Sequence, residues 1–97
     1  MKLKITEKMW GIDCRAGEYR VKKTGALTAE CAPGQEILFP SGRRRFVIDA
    51  VTADGVTVSV RYADPKNDRA WTLARGESAF YRPRSMDGGY QYTLKLK

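Results

Sequence analysis

Arg43, Arg44 and Arg45 in SGRRRF, together with Arg82 and Arg84 in YRPRS, are the most concentrated charge of this 97-residue chain. A guanidinium presents a planar fork of donors that suits phosphate or carboxylate oxygens, so such clusters are the residue types of polyanion recognition. Side chains alternate across an extended strand, so Arg43 and Arg45 share a face from which Arg44 is excluded, and Arg82 and Arg84 share another. Tyr81 stands beside the second pair. Arg43, Arg45, Tyr81, Arg82 and Arg84 are therefore the candidate ligand-binding residues. The plainer account of SGRRRF is a solvated turn entering a strand.

Other chemistries find little in the sequence. The chain has no histidine and two cysteines, Cys14 and Cys31, with no CxxC spacing. That removes histidine-based triads and the usual ligand sets of zinc, and no metal or cofactor is expected. The two thiols are expected to be free, Cys31 as a small apolar residue of the core. Neither GxxxxGK[ST] nor GxGxxG occurs, so nucleotide binding lacks its usual phosphate cradle. Asp64, Asn67 and Asp68 offer loop oxygens, but DPKND lacks the alternate acidic spacing and distal glutamate of a calcium loop. The eleven carboxylates form no pair whose spacing forces two into one site. The expectation is a protein without catalytic activity.

The elements that must position these residues are strands. In GVTVSVRY, Val56, Val58, Val60 and Tyr62 fall on one face, with Thr57, Ser59 and Arg61 on the other. YQYTLKLK repeats the pattern, placing Tyr90, Tyr92, Leu94 and Leu96 together. KLKIT, EYRVK and RAWTLA read the same way, with Leu3 and Ile5, Tyr19 and Val21, and Trp71 and Leu73 turned inward. RRFVIDAV puts Phe46 and Ile48 on one side, and Val47 and Val51 on the other, as in a strand covered on both faces. Asp54-Gly55 is the strongest hairpin signal. Pro33-Gly34, Pro40-Ser41-Gly42 and Asp87-Gly88-Gly89 mark further turns. Residues 7–17 are the least readable stretch and have room for one helical turn.

Turn signals every 8–15 residues and a period of two predict one all-β domain over residues 1–97. A small antiparallel β-sandwich of about 7–9 strands is the economical solution, with an SH3-like or OB-type barrel as the alternative. The composition, 42% hydrophobic and 30% charged, is that of a globular chain, and no apolar run is long enough to span a membrane. MKLKITEKMWGIDC lacks the continuous apolar stretch of a signal peptide, so a cytoplasmic protein is expected, unless a leader has been trimmed away.

The formal net charge is +7, and residues 41–97 carry the larger share, 11 basic against 6 acidic side chains. Two functions follow from these features. The first is a non-catalytic interaction module that binds a protein or glycan partner, within a larger assembly or as a homo-oligomer paired through strand edges. Lys95 and Lys97 read as charges that protect such an edge. The second is nucleic-acid or polyanion binding through the arginines. A strand surface that stacks single-stranded bases needs aromatic and basic residues on one exposed face. With Tyr19 and Tyr92 turned inward, the rings and the charges fall on opposite sides, which counts against that form of the second function.

Overall fold

Alternation of apolar with polar residues builds strands with a buried side, and the chain folds as an all-β sandwich of two antiparallel sheets. The computed structural model describes residues 1–13, 17–39, 44–61, 68–83 and 88–97. Among them are eight strands: β1 (Lys2–Asp13), β2 (Glu18–Glu30), β3 (Glu36–Leu38), β4 (Arg45–Val51), β5 (Gly55–Arg61), β6 (Arg69–Ala74), β7 (Ser78–Tyr81) and β8 (Gly88–Leu96). One sheet, ordered β2-β1-β8-β7, holds both chain ends and is called the terminal sheet. The other, β3-β4-β5-β6, is the middle sheet. The barrel alternative is set aside by this division into two separate sheets.

Leu3, Ile5, Tyr92, Leu94 and Leu96 of the terminal sheet meet Phe46, Ile48, Val56, Val58, Val60 and Leu73 of the middle sheet in one core. Tyr92 lies at its centre, its ring 5.1 Å from that of Phe46 and 5.8 Å from that of Phe39. A carboxylate is buried with them. Glu7 continues the inward phase of Leu3 and Ile5, and accepts hydrogen bonds from the Tyr92 hydroxyl at 2.8 Å and the Thr24 hydroxyl at 2.7 Å. A buried carboxylate needs such donors, because stripping it of water without them is costly.

Several expectations are corrected by the register. The stretch from Glu7 to Asp13 holds no helical turn; it continues β1. Val51 does not oppose Phe46 and Ile48: a bulge between Ile48 and Ala50 returns it to the core side, opposite Val56. Tyr19 and Val21 are not inward. They sit beyond the core on the long β1–β2 hairpin, where Met9 and Ile12 are also exposed. That hairpin explains an elongated outline of 50 × 29 × 21 Å and a radius of gyration of 14.3 Å, against about 12–13 Å for a compact chain of this length. Lys95 and Lys97 do not guard an edge, since β8 lies between β1 and β7.

The turn chemistry is borne out in part. Gly34 takes a φ of 81° in the Pro33-Gly34 turn. Gly88 and Gly89 instead lie in β8 without positive φ. Tyr62, the Pro40-Ser41-Gly42 turn and most of the ADPKND loop lie outside the described residues, as does Cys14, while Cys31 is a free, half-buried thiol packed against the core. Burial pushes the Cys31 thiol up from its ordinary pKa, which makes it a poor nucleophile.

Candidate functional site

Residues paired across an antiparallel ladder share a face, so the register fixes what the terminal sheet shows to solvent. On β1 that outward face carries Lys2, Lys4, Thr6, Lys8, Trp10 and Ile12. Opposite them on β2 stand Glu30, Thr28, Ala26, Lys23, Val21 and Tyr19; Thr24 is the extra residue of a bulge, which reverses the phase of the strand and carries Tyr19 outward. On the other side, β8 contributes Gly89, Gln91, Thr93 and Lys95, and β7 contributes Phe80 opposite Thr93.

Arg82 follows β7 on the same side. Its guanidinium carbon lies 4.7 Å from the centre of the Trp10 ring, 5.4 Å from that of Tyr19 and 5.9 Å from that of Phe80. The guanidinium Nη2 donates to the Tyr19 hydroxyl and, at 2.8 Å, to the Gln91 Oε1. A cation over aromatic faces is attracted by the ring quadrupoles, and here three rings and two hydrogen bonds hold one side chain. Trp10 is thereby covered to 7% exposure, and its Nε1–H has no hydrogen-bond partner among the described residues. The flanking rings remain open, Tyr19 at 51% and Phe80 at 56% exposure. Arg82→Ala is expected to uncover the indole. In a Trp71→Phe background its fluorescence should shift to the red; an unchanged spectrum would show that Arg82 does not shield Trp10.

The charge of this face is one-sided. Lys2, Lys4, Lys8, Lys23, Arg82 and Lys95 stand there against a single carboxylate among the described residues, Glu30, which faces Lys2. Lys4 is directly opposite Lys95, and Lys8 directly opposite Lys23. Like charges in directly opposed positions destabilise a sheet. On the outward face of the middle sheet Arg45 is likewise directly opposite Arg61, but there each cation has a carboxylate partner. There the Arg61 guanidinium lies 2.6 Å from the Asp49 carboxylate and 3.6 Å from that of Asp68, and Arg45 lies 3.4 Å from Glu36.

Comparison with family models, curated proteins and solved structures finds no match to this chain. The site therefore stands on its geometry alone.

The described members of the five residues that the sequence points to, Arg45, Tyr81 and Arg82, do not form one site. Arg43 and Arg84 lie outside the described residues. Arg45 is on the outward face of the middle sheet, on the far side of the sandwich from Arg82, and is paired with Glu36. Tyr81 is a core residue, 8% exposed, stacked on Tyr92 at 6.2 Å and edge-on to Trp71 at 5.3 Å. Of the three described, Arg45 and Arg82 are exposed, on opposite faces of the sandwich. Trp10, Tyr19, Phe80, Lys4, Lys8, Lys23 and Gln91 escape a reading of the sequence. For Lys4, Lys8 and Trp10 the signal is the outward phase of KLKITEKMW, while that of Lys23 and Tyr19 is hidden by the bulge at Thr24.

Among the described residues no group of three or more Cys, Asp or Glu side chains is placed to hold a metal ion. The hydrogen-bonded pair of Glu7 and Tyr92 has acid–base character, but both side chains are enclosed: Glu7 is 2% exposed and Tyr92 wholly buried. No substrate can reach them. Asp68, the described member of the DPKND oxygens, is engaged with Arg61.

Proposed function

We propose that the chain is a non-catalytic interaction module that docks an anionic partner on the outward face of the terminal sheet. The observation that carries this reading is the contrast in pairing between the two faces. The opposed Arg45 and Arg61 of the middle sheet each have a carboxylate partner, while the opposed lysines of the terminal sheet have none among the described residues. Of Lys4, Lys8, Lys23, Arg82 and Lys95, none forms an ion pair with a described residue, so an incoming anion would relieve repulsion without breaking an existing bridge. The exposed rings of Tyr19 and Phe80 supply apolar area beside the charge. This narrows the expectation of a protein or glycan partner to one bearing acid groups. It also moves the polyanion alternative from SGRRRF to the lysine face.

Retention on immobilised heparin at increasing salt tests the reading. Lys4→Gln with Lys8→Gln, and Arg45→Gln with Arg61→Gln, each remove two positive charges. The lysine pair should elute at clearly lower salt than the arginine pair, although the change in net charge is the same. Equal elution of the two variants would mean that only net charge matters, and the face would lose its role.

A further inference from the structure

Resting on that reading, we infer that the anionic partner is a single-stranded nucleic acid, laid along the face with bases on Phe80 and Tyr19 and phosphates on the lysines. Charge alone would suit any polyanion; the rings narrow it. Phe80 and Tyr19 flank Arg82 from opposite sides, one from β7 and one from β2, and both are more than half exposed. Bases stacked in a duplex offer no open face to such rings, whereas an unpaired strand offers one per nucleotide. Arg82 adds a guanidinium plane at the same level, already held by Tyr19 and Gln91, so little of its freedom is lost on binding.

The register sets these groups in successive rows. Lys4 and Lys95 occupy one row, then Thr6, Thr93 and Phe80, then Lys23, Lys8 and Gln91 with Arg82 near it, then Trp10 with Val21, and last Ile12 with Tyr19. From Lys4 to Ile12 the strand rises about 26 Å, at roughly 3.3 Å per residue. That is room for about four nucleotides, the lower end of what one single-strand-binding β domain covers. Basic and aromatic residues thus alternate along one exposed surface, the arrangement that the inward reading of Tyr19 excludes.

The test is fluorescence anisotropy with three labelled probes: an oligothymidylate, a DNA duplex of equal length, and poly-glutamate. The single strand should bind tightest, with an affinity that falls steeply as salt rises. Phe80→Ala and Tyr19→Ala should each weaken it about tenfold, the loss expected of a stacked base, while heparin retention stays as in the wild type. Both residues are exposed, and circular dichroism checks that the variants fold. Equal affinity for duplex and single strand, or ring variants that bind oligothymidylate normally, would overturn the inference. Tightest binding to poly-glutamate would overturn it too, with an acidic protein as the partner. In either case, heparin retention that still depends on Lys4 and Lys8 would leave the docking face standing.

Discussion

Tyr92→Ala is expected to cost the fold about 3–5 kcal/mol, the range for truncating a fully buried aromatic residue. Tyr92 has no exposed surface and touches the rings of Phe39, Phe46 and Tyr81, so it joins the two sheets and the β3 end of the core in one contact set. Removing the ring leaves a cavity that β-strands locked by their ladders cannot close. It also strips the Glu7 carboxylate of the hydroxyl that donates to it. Urea or thermal unfolding measures the loss, and a value below about 1 kcal/mol would contradict the position of Tyr92.

Tyr92→Phe separates the two contributions. The ring stays and the hydroxyl goes, so the expected cost is that of one donor withdrawn from a buried carboxylate, about 1–3 kcal/mol. The same hydroxyl makes the difference depend on pH. Burial, the hydrogen bond to Glu7 and the negative charge of Glu7 push the Tyr92 hydroxyl far above the ordinary tyrosine value. Its proton is therefore held more tightly in the folded chain than in the unfolded one. That contribution is complete below the unfolded value of about 10, and is lost progressively as pH rises above it. The stability gap between wild type and Tyr92→Phe should accordingly narrow between about pH 9 and pH 11. A constant gap across that window would mean that Tyr92 ionises as freely folded as unfolded.

The legible part of this fold is the part where alternation is unbroken. Val56, Val58 and Val60, and Tyr92, Leu94 and Leu96, fall where the sequence puts them because a period of two leaves one consistent apolar side, and that side is buried. Alternation reports phase, not depth. Tyr19 and Val21 alternate as cleanly as the core strands, yet lie on a stretch of hairpin that outruns the core. Bulges hide a second kind of information: the extra residue at Thr24 reverses the phase of β2, and the one between Ile48 and Ala50 reverses that of Val51. Glu7 is legible in principle, since it continues the phase of Leu3 and Ile5, but a carboxylate reads as outward until its donors from Thr24 and Tyr92 are known. Of the candidate site only Arg82 is legible. Its rings come from β1, β2 and β7, and no spacing within one strand announces that Trp10, Tyr19 and Phe80 converge on one guanidinium.

Gly55→Ala is expected to cost about 3 kcal/mol, the upper end for forcing extra volume into a packed site. Asp54-Gly55 has the composition of a two-residue hairpin turn, in which the glycine would take positive φ. Here the connection is longer: β4 ends at Val51, and Thr52 closes the turn by donating its backbone N–H to the Gly55 carbonyl at 2.9 Å. The Thr52 hydroxyl accepts from the Gly55 N–H at 3.1 Å. Gly55 has no positive φ and is instead the first residue of β5, opposite Ala74 of β6. What requires glycine there is proximity. A Cβ on Gly55 would stand 2.3 Å from the Leu73 carbonyl oxygen and 3.2 Å from the Ala74 Cα. Both are backbone atoms, so no rotamer change relieves the overlap, and β5 must separate from β6 at the end where Val56 meets Leu73 in the core. Gly34→Ala makes the comparison, since its φ is 81° but nothing lies within 4 Å of the added carbon. Its cost is that of backbone strain alone, about 1 kcal/mol. Unfolding measurements that rank Gly34→Ala above Gly55→Ala would show that conformation, and not the approach of β6, is what holds glycine at position 55.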